Sequence, residues 1–277
     1  MATRHELTRD GVRLSYRDFG GDGPAILLLH GLAGHGGEWA QTASWLTAGH
    51  RVLAPDARGH GRSERRPVDV SRDALVADAA AIVQSAAPAG GSVIVVGQSL
   101  GGVAALSLAA RRPDLVHGLV VADASPEGNL EAAEAAGRAV GAALHQWPVP
   151  FDSLTEAAQF FAERFGGPVA ATAWTAGLEE RVDGWWPAFD VDVMERMLCE
   201  VTRAPAWADW ERVSCPALVI RAGDGLVDPE TARAMVARLP EAQLVELAGA
   251  AHDLHLDRPE EWRAALSGFL DSLECGG

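Results

Sequence analysis

One stretch in the middle of the chain constrains the fold more than any other. Residues 93–96 are four consecutive β-branched residues, which is typical of a strand buried on both faces. The pentapeptide Gly-Gln-Ser-Leu-Gly follows at 97–101, before an Ala- and Leu-rich run that favours a helix. A serine between glycines at a strand-to-helix turn can adopt strained backbone angles, so Ser99 is a candidate nucleophile and the Leu100 N–H a candidate oxyanion donor. The alternative is a glycine-rich turn in which Ser99 only caps the helix.

The composition is that of an acidic protein large enough for one domain with an insertion. Over 277 residues, 38 acidic and 23 basic side chains give a net charge of −15, which argues against nucleic acid or an anionic membrane as a partner. Cys199, Cys215 and Cys275 lack metal-ligand spacing, and their odd number favours free thiols in a reducing compartment. The sequence contains neither the apolar core of a signal peptide nor an apolar run of membrane-spanning length. We therefore expect a cytoplasmic protein.

Strands and helices alternate along most of the chain. An antiparallel hairpin is predicted over 3–19, and the buried strands that follow alternate with helices, which is typical of a parallel sheet. This alternation of strands and helices stops between 127 and 210, where the pattern is helical and where six of the nine tryptophans occur. We therefore predict a core formed by 1–126 and 211–277, with 127–210 as an inserted helical cap.

A substrate pocket is expected where the cap meets the core. The tryptophans would give it an aromatic lining, and the candidates for substrate contact are Trp147, Trp174, Trp185 and Trp186. On the core side, the glycine-rich loop 30–37 follows a buried strand, and such a loop lets backbone N–H groups approach a ligand. Its Leu32 N–H is the candidate second oxyanion donor, and His30 and Gly31 are candidate pocket residues. The alternatives are a flexible turn and tryptophans that only fill the core of the cap.

Four motifs, taken together, resemble the α/β-hydrolase superfamily. In chain order they are His30-Gly31, Asp-x-Arg-Gly-His-Gly-x-Ser at 56–63, Gly-x-Ser-x-Gly-Gly at 97–102, and Gly-x-x-His at 249–252, which precedes Asp-x-Pro. The resemblance covers essentially the whole chain and implies an eight-stranded, mostly parallel sheet with helices on both faces. It also implies a catalytic triad in the chain order Ser, Asp or Glu, His, and a mechanism that requires no metal and no cofactor.

The resemblance assigns the nucleophile and the base by position. Ser99 matches the nucleophile, and His252 matches the general base because the family places this histidine three residues after the loop glycine, here Gly249. His255 is the competing histidine. The implied reaction is attack of Ser99 on an acyl carbon, with an acyl-enzyme that water then hydrolyses.

The acid of the triad has two main candidates. Asp224 follows the strand before the last one, the commonest place for this residue in the family, although Arg221 stands where the family pattern has a glycine. Asp123 follows the preceding strand, where a minority of the family places the acid. Both strand ends can reach the same histidine, so the sequence leaves Asp224 slightly ahead of Asp123, with Asp228 third.

The expected function is hydrolysis of a small apolar or aromatic ester or lactone through a Ser-His-Asp triad. Perhydrolysis, C–C bond hydrolysis and a lyase reaction on the same triad are alternatives, and so is a ligand-binding protein with this fold and no turnover. The expected partner is a small-molecule substrate. A monomer or small homo-oligomer is assumed by default.

Overall fold

The computed structural model describes residues 2–86 and 91–275 of the chain. Its strands are β1 (Thr3–Arg9), β2 (Val12–Gly20), β3 (Ala25–Leu29), β4 (Arg51–Asp56), β5 (Val93–Gln98), β6 (Val116–Ala122), β7 (Leu178–Arg181), β8 (Gly184–Pro187), β9 (Ala217–Ala222) and β10 (Ala242–Leu247). Eight of them form one sheet in the order β1-β2-β4-β3-β5-β6-β9-β10. β2 is antiparallel to both of its neighbours, and the other neighbours are parallel. The predicted eight-stranded, mostly parallel sheet is confirmed.

Helices account for most of the remaining chain. They are α1 (Ala40–Leu46), α2 (Arg72–Ala86), α3 (Leu100–Arg111), α4 (Leu130–Leu144), α5 (Leu154–Phe165), α6 (Gly167–Thr175), α7 (Val191–Thr202), α8 (Trp207–Trp210), α9 (Pro229–Arg238), α10 (Leu254–Asp257) and α11 (Pro259–Cys275). Within the described ranges, none of these helices combines the length and the apolar character needed to cross a bilayer.

The central strands are apolar on both faces because helices cover the sheet on both sides. In β3, Leu27 packs in one cluster with side chains of α2 and α3, whereas the adjacent Leu28 packs in a second cluster with side chains of α1 and α11. Successive strand residues point to opposite faces, so a strand buried on both sides must be apolar at every position. The continuous apolar runs in the sequence have this origin.

A buried ion pair holds the loop after β4 against α2. The Arg58 guanidinium donates from Nε to Asp78 Oδ2 at 2.6 Å and from Nη2 to Asp78 Oδ1 at 2.7 Å, and both side chains are almost completely buried. Two parallel bonds of this kind fix the orientation of both groups. The loop at 56–63 is therefore a rigid structural segment.

The segment between β6 and β9 contains α4 to α8, as expected for an insertion, but it is not entirely helical. β7 and β8 pair antiparallel with each other, and Trp185 and Trp186 lie in β8. The turn between these strands is Val182-Asp183, and Gly184, the first residue of β8, has a φ of +130°. Asp and Gly are common residues at hairpin turns, and the Asp183-Gly184 pair is the signal that an all-helical interpretation of this segment overlooked. The boundaries of the cap remain a prediction.

Candidate active site

The turn between β5 and α3 places Ser99 in a strained conformation, with φ at +53° and ψ at −119°. A Cβ on Gly97 would lie 2.2 Å from the Gly101 carbonyl oxygen, and a Cβ on Gly101 would lie 2.3 Å from the Leu29 carbonyl oxygen. Because these neighbours are backbone atoms, only glycine fits at either position. The Ser99 side chain makes no capping hydrogen bond to α3, so the simple cap interpretation of this serine is wrong.

Two loops bring His252 and Asp123 together at the carboxyl ends of the strands. His252 Nδ1 lies 2.7 Å from Oδ2 of Asp123, which is buried. The same oxygen accepts a hydrogen bond from the Leu226 N–H at 2.8 Å. An ionised carboxylate only accepts hydrogen bonds, so His252 donates from Nδ1, and Nε2 remains available as a base.

The other candidate acids lie elsewhere. The Asp224 residue is exposed, and the only hydrogen bond it makes among the described residues is from its backbone N–H to the Ala250 carbonyl, at 2.9 Å. Asp228 caps α9 by accepting from the N–H groups of Glu230 and Thr231. The slight preference for Asp224 as the partner of His252 is therefore wrong in geometry, and Asp123 occupies that place. The two strand ends are adjacent because β6 pairs with β9.

Two opposing effects act on the pKa of His252. Burial lowers the pKa of the imidazole, but the hydrogen bond to Asp123 and the charges of Asp253 and Asp123 outweigh this effect, so the pKa is raised above its ordinary value. His255, the competing histidine, is buried and stacks on Trp39 with ring centroids 4.2 Å apart. His255 is therefore part of the packing behind the loop.

The loop after β3 passes directly over the elbow. A Cβ on Gly31 would lie 2.2 Å from Gln98 Oε1 and 3.3 Å from Ser99 Cβ, so a larger residue there would have to displace the Gln98 side chain. Leu32, the next residue, lines the same cavity as Ser99 and His252. Leu100 is the first residue of α3, where backbone N–H groups have no partner within the helix. Of the two predicted oxyanion donors, Leu100 directly follows Ser99 in the chain, and Leu32 belongs to the loop that passes over the elbow.

His30 braces this loop and does not line the cavity. Its Nδ1 donates to the Gly31 carbonyl at 2.7 Å, and its Nε2 accepts from the Ala57 N–H at 2.9 Å. His60 supports the loop from the other side, because its Nε2 accepts from the Ala33 N–H at 3.0 Å. Burial lowers the pKa of His60 to about 3, so it stays neutral in this role. His30, which was predicted as a pocket residue, therefore lines a separate cavity with Leu100 and Gly101 and not the cavity that contains Ser99.

A cavity of about 250 Å³ contains Ser99 and His252 in its lining. Trp147 and Trp174 of the inserted segment and Gly31 of the core also line it, and contact of these residues with substrate stays a prediction. Among the contacts of the described residues, no hydrogen bond joins the Ser99 hydroxyl to His252, although both face this space.

The remaining predicted tryptophans are absent from the cavity lining. The backbone of Trp185 pairs with Phe151, and the Trp186 indole N–H donates to Asp183 at 2.9 Å. The Arg181 guanidinium lies over the Trp186 ring at 5.1 Å. Trp185 and Trp186, which were predicted to contact substrate, therefore do not line the cavity that contains Ser99, because the hairpin β7–β8 directs them elsewhere.

Comparison with known proteins identifies the family of this chain. The family model described as the Alpha/beta hydrolase family matches residues 26–265. The chain belongs to the α/β-hydrolase family. It is 30% identical to the sn-1-specific diacylglycerol lipase ABHD11 of Mus musculus, over 93% of this chain and 85% of the lipase. It is 31% identical to a pimeloyl-[acyl-carrier protein] methyl ester esterase of Chromobacterium violaceum, over 91% and 96% of the two chains. The structure of E-2-(acetamidomethylene)succinate hydrolase superimposes with a TM-score of 0.86, at 23% identity, over 98% of this chain and 100% of that one.

This α/β-hydrolase also has charged cavity residues that the sequence interpretation missed. Asp253 and Arg164 both line the cavity. Burial raises the pKa of the Asp253 carboxyl above its ordinary value, against the opposing charges of His252 and His255. Asp253 could have been noticed as the neighbour of His252, whereas nothing in the sequence around Arg164 distinguishes it from a solvated helix residue. The described residues contain no group of three or more His, Cys, Asp or Glu placed to hold a metal ion.

Proposed function

We propose that this α/β-hydrolase cleaves carboxylic esters or lactones, with Ser99 as nucleophile, His252 as base and Asp123 as acid. The observation that carries the proposal is the 2.7 Å contact between His252 Nδ1 and Asp123 Oδ2, at the edge of the cavity that contains the strained serine. This contact selects the tautomer in which Nε2 accepts the serine proton. The esterase relative, which by its name acts on a methyl ester, supports the choice of bond.

The mechanism follows from these positions. His252 Nε2 takes the Ser99 proton as Oγ bonds to the acyl carbon, and Asp123 stabilises the imidazolium that forms. The N–H groups of Leu32 and Leu100 bind the developing oxyanion, each stabilising the transition state by about 3 kcal/mol. His252 then gives its proton to the leaving alkoxide, and water activated by the same histidine hydrolyses the acyl-enzyme. Each step of this proposed mechanism is assigned to a side chain or backbone group of the chain itself, together with substrate and water.

The cavity favours a small, largely apolar substrate. Its volume of about 250 Å³ is slightly below the usual range of ligand sites, and aromatic rings of Trp147 and Trp174 contribute to its wall. The net charge of −15 supports a small molecule rather than a nucleic acid as partner. We extend the proposal to a cytoplasmic location, on the basis of the unpaired thiols of Cys199 and Cys215.

The test combines active-site labelling with turnover. A fluorophosphonate probe should label the wild type and leave Ser99→Ala unlabelled, and the wild type should hydrolyse short and aryl p-nitrophenyl esters or small lactones that Ser99→Ala does not. Labelling of Ser99 without turnover of any ester or lactone would contradict the proposed reaction. Turnover that survives in Ser99→Ala would contradict the proposed nucleophile.

A further inference from the structure

One cation lines the cavity beside the proposed catalytic residues. Arg164 lies in the last turn of α5, and it is the only arginine or lysine among the described residues of the cavity lining. Its neighbour Phe165 is also on the wall and stacks on Trp174, with ring centroids 4.6 Å apart and an interplanar angle of 16°. The positive charge of this exposed arginine thus lies next to an aromatic pair in the wall of the cavity that Ser99 also lines.

The charge of Arg164 has no acidic partner in the described part of the protein. Other arginines of the inserted segment are paired, such as Arg138 with Glu134 at 3.8 Å and Arg203 with Glu200 at 3.0 Å. The guanidinium of Arg164 makes only a contact with the Phe165 ring, with Cζ 5.9 Å from its centroid. In a chain with 38 acidic and 23 basic side chains, an unpaired arginine beside a cavity is available to a ligand.

We propose that Arg164 binds a carboxylate at the end of the substrate remote from the bond that is cleaved. This inference rests on the proposed function and narrows its substrate class to half-esters or lactones that carry a free carboxylate. Guanidinium groups bind carboxylates with two parallel hydrogen bonds. A single negative charge fits better than a phosphate dianion, because one arginine supplies the attraction and Asp253 shares the same cavity.

The test is a comparison of charge selectivity within each variant. The substrates are p-nitrophenyl half-esters of the dicarboxylic acids from succinic to suberic, each paired with the p-nitrophenyl ester of the monocarboxylic acid of equal chain length. The measured quantity is the ratio of kcat/KM for the anionic ester to that for the neutral ester, after subtraction of spontaneous hydrolysis. A general loss of activity cancels in this ratio.

We expect Arg164→Gln to lower this ratio about tenfold at the best chain length, mainly through KM, since a charge-assisted bond at an exposed arginine is worth about 1.4 kcal/mol. Arg164→Lys should keep most of the selectivity because it keeps the charge. Arg138→Gln is the matched control on α4, outside this cavity, and should leave the ratio unchanged. An unchanged ratio in Arg164→Gln would overturn the proposal and leave Arg164 as a solvated residue that only complements the helix dipole.

A binding experiment separates this proposal from the proposed function. Monomethyl suberate is titrated calorimetrically into Ser99→Ala and into the double variant Ser99→Ala/Arg164→Gln, so that no turnover is needed. Weaker binding to the double variant supports the carboxylate site even if the wild type hydrolyses neither ester series. Equal binding to both would overturn the site, whatever the activity of the enzyme.

Discussion

Asp123→Asn tests the assignment of the acid most directly. Asn has nearly the same shape as Asp, and it tolerates a positive φ, which is +41° at this position. The substitution removes one charge beside the imidazole and replaces one carboxylate oxygen by an NH₂ group. The consequence depends on which oxygen is replaced, and the hydrogen bonds of Asp123 indicate which one.

Oδ2 of Asp123 accepts from His252 at 2.7 Å and from the Leu226 N–H at 2.8 Å. Oδ1 lies 3.4 Å from the N–H groups of Ala222 and Val227. An NH₂ group in the Oδ2 position would face the Leu226 donor at short range, whereas in the Oδ1 position it faces donors that are farther away. We therefore expect the amide oxygen to take the Oδ2 position, so that His252 keeps its tautomer and loses only the charge of its partner.

The expected loss in kcat/KM follows from that charge. Hydrogen bonds to charged groups contribute about 1.5–3 kcal/mol, and about 1.4 kcal/mol corresponds to a factor of ten, so kcat/KM should fall roughly 10- to 150-fold. If the NH₂ group took the Oδ2 position instead, His252 would be held in the opposite tautomer and the fall in kcat/KM would approach about 10⁴-fold. The assay is steady-state hydrolysis of p-nitrophenyl esters.

Asp224→Asn is the matched control for this measurement. Asp224 lies at the end of the neighbouring strand, and its side chain makes no hydrogen bond within the described residues, so its substitution should change kcat/KM less than threefold. A loss in Asp224→Asn that equals or exceeds the loss in Asp123→Asn would refute the reasoning. So would an Asp123→Asn enzyme of nearly wild-type activity.

Three further predictions concern the pH profile, the elbow and the core. Asp253→Asn removes a negative charge that raises the pKa of His252, so the acidic limb of the kcat/KM profile, where His252 becomes protonated and inactive, should move to lower pH. Gly97→Ala should lower the free energy of unfolding in urea by at least about 1–3 kcal/mol, because the new Cβ would lie 2.2 Å from a backbone atom. Gly268→Ala in α11 is the control: the space around its Cβ is open, so this variant should raise the free energy of unfolding by about 0.5–1 kcal/mol. Asp78→Asn leaves a buried guanidinium without its charged partner and should cost about 3–5 kcal/mol in the same measurement.

Each of these outcomes has a clear contrary result. An acidic limb that stays at the same pH or moves to higher pH in Asp253→Asn would contradict the proposed effect of the Asp253 charge on His252. Equal unfolding midpoints for Gly97→Ala and the wild type would contradict the steric account of the elbow. A loss below about 1 kcal/mol in Asp78→Asn would mean that the ion pair is equivalent to an exposed one.

The local sequence was sufficient to predict the elements that depend only on residues close together in the chain. The turn around Ser99 needs small residues at 97 and 101, and both requirements are visible in the pentapeptide itself. The apolar runs predicted the parallel strands because burial on both faces removes the alternation of polar and apolar residues. The resemblance placed His252 from its spacing to Gly249, and the structure brings this histidine, and not His255, to the cavity.

Only the tertiary structure decided between Asp123 and Asp224. β6 and β9 are neighbours in the sheet, so the backbone places both aspartates at the same edge, and the choice depends on where each side chain points. Asp123 turns inward with a positive φ and accepts hydrogen bonds from the loop after β9, whereas Asp224 is exposed. The same holds for Arg164, whose position in the lining of the same cavity as Ser99 results from packing of the insertion over residues more than sixty positions earlier in the chain. Contacts of this range leave no periodicity or spacing in a single sequence, because they depend on how separate elements pack in three dimensions.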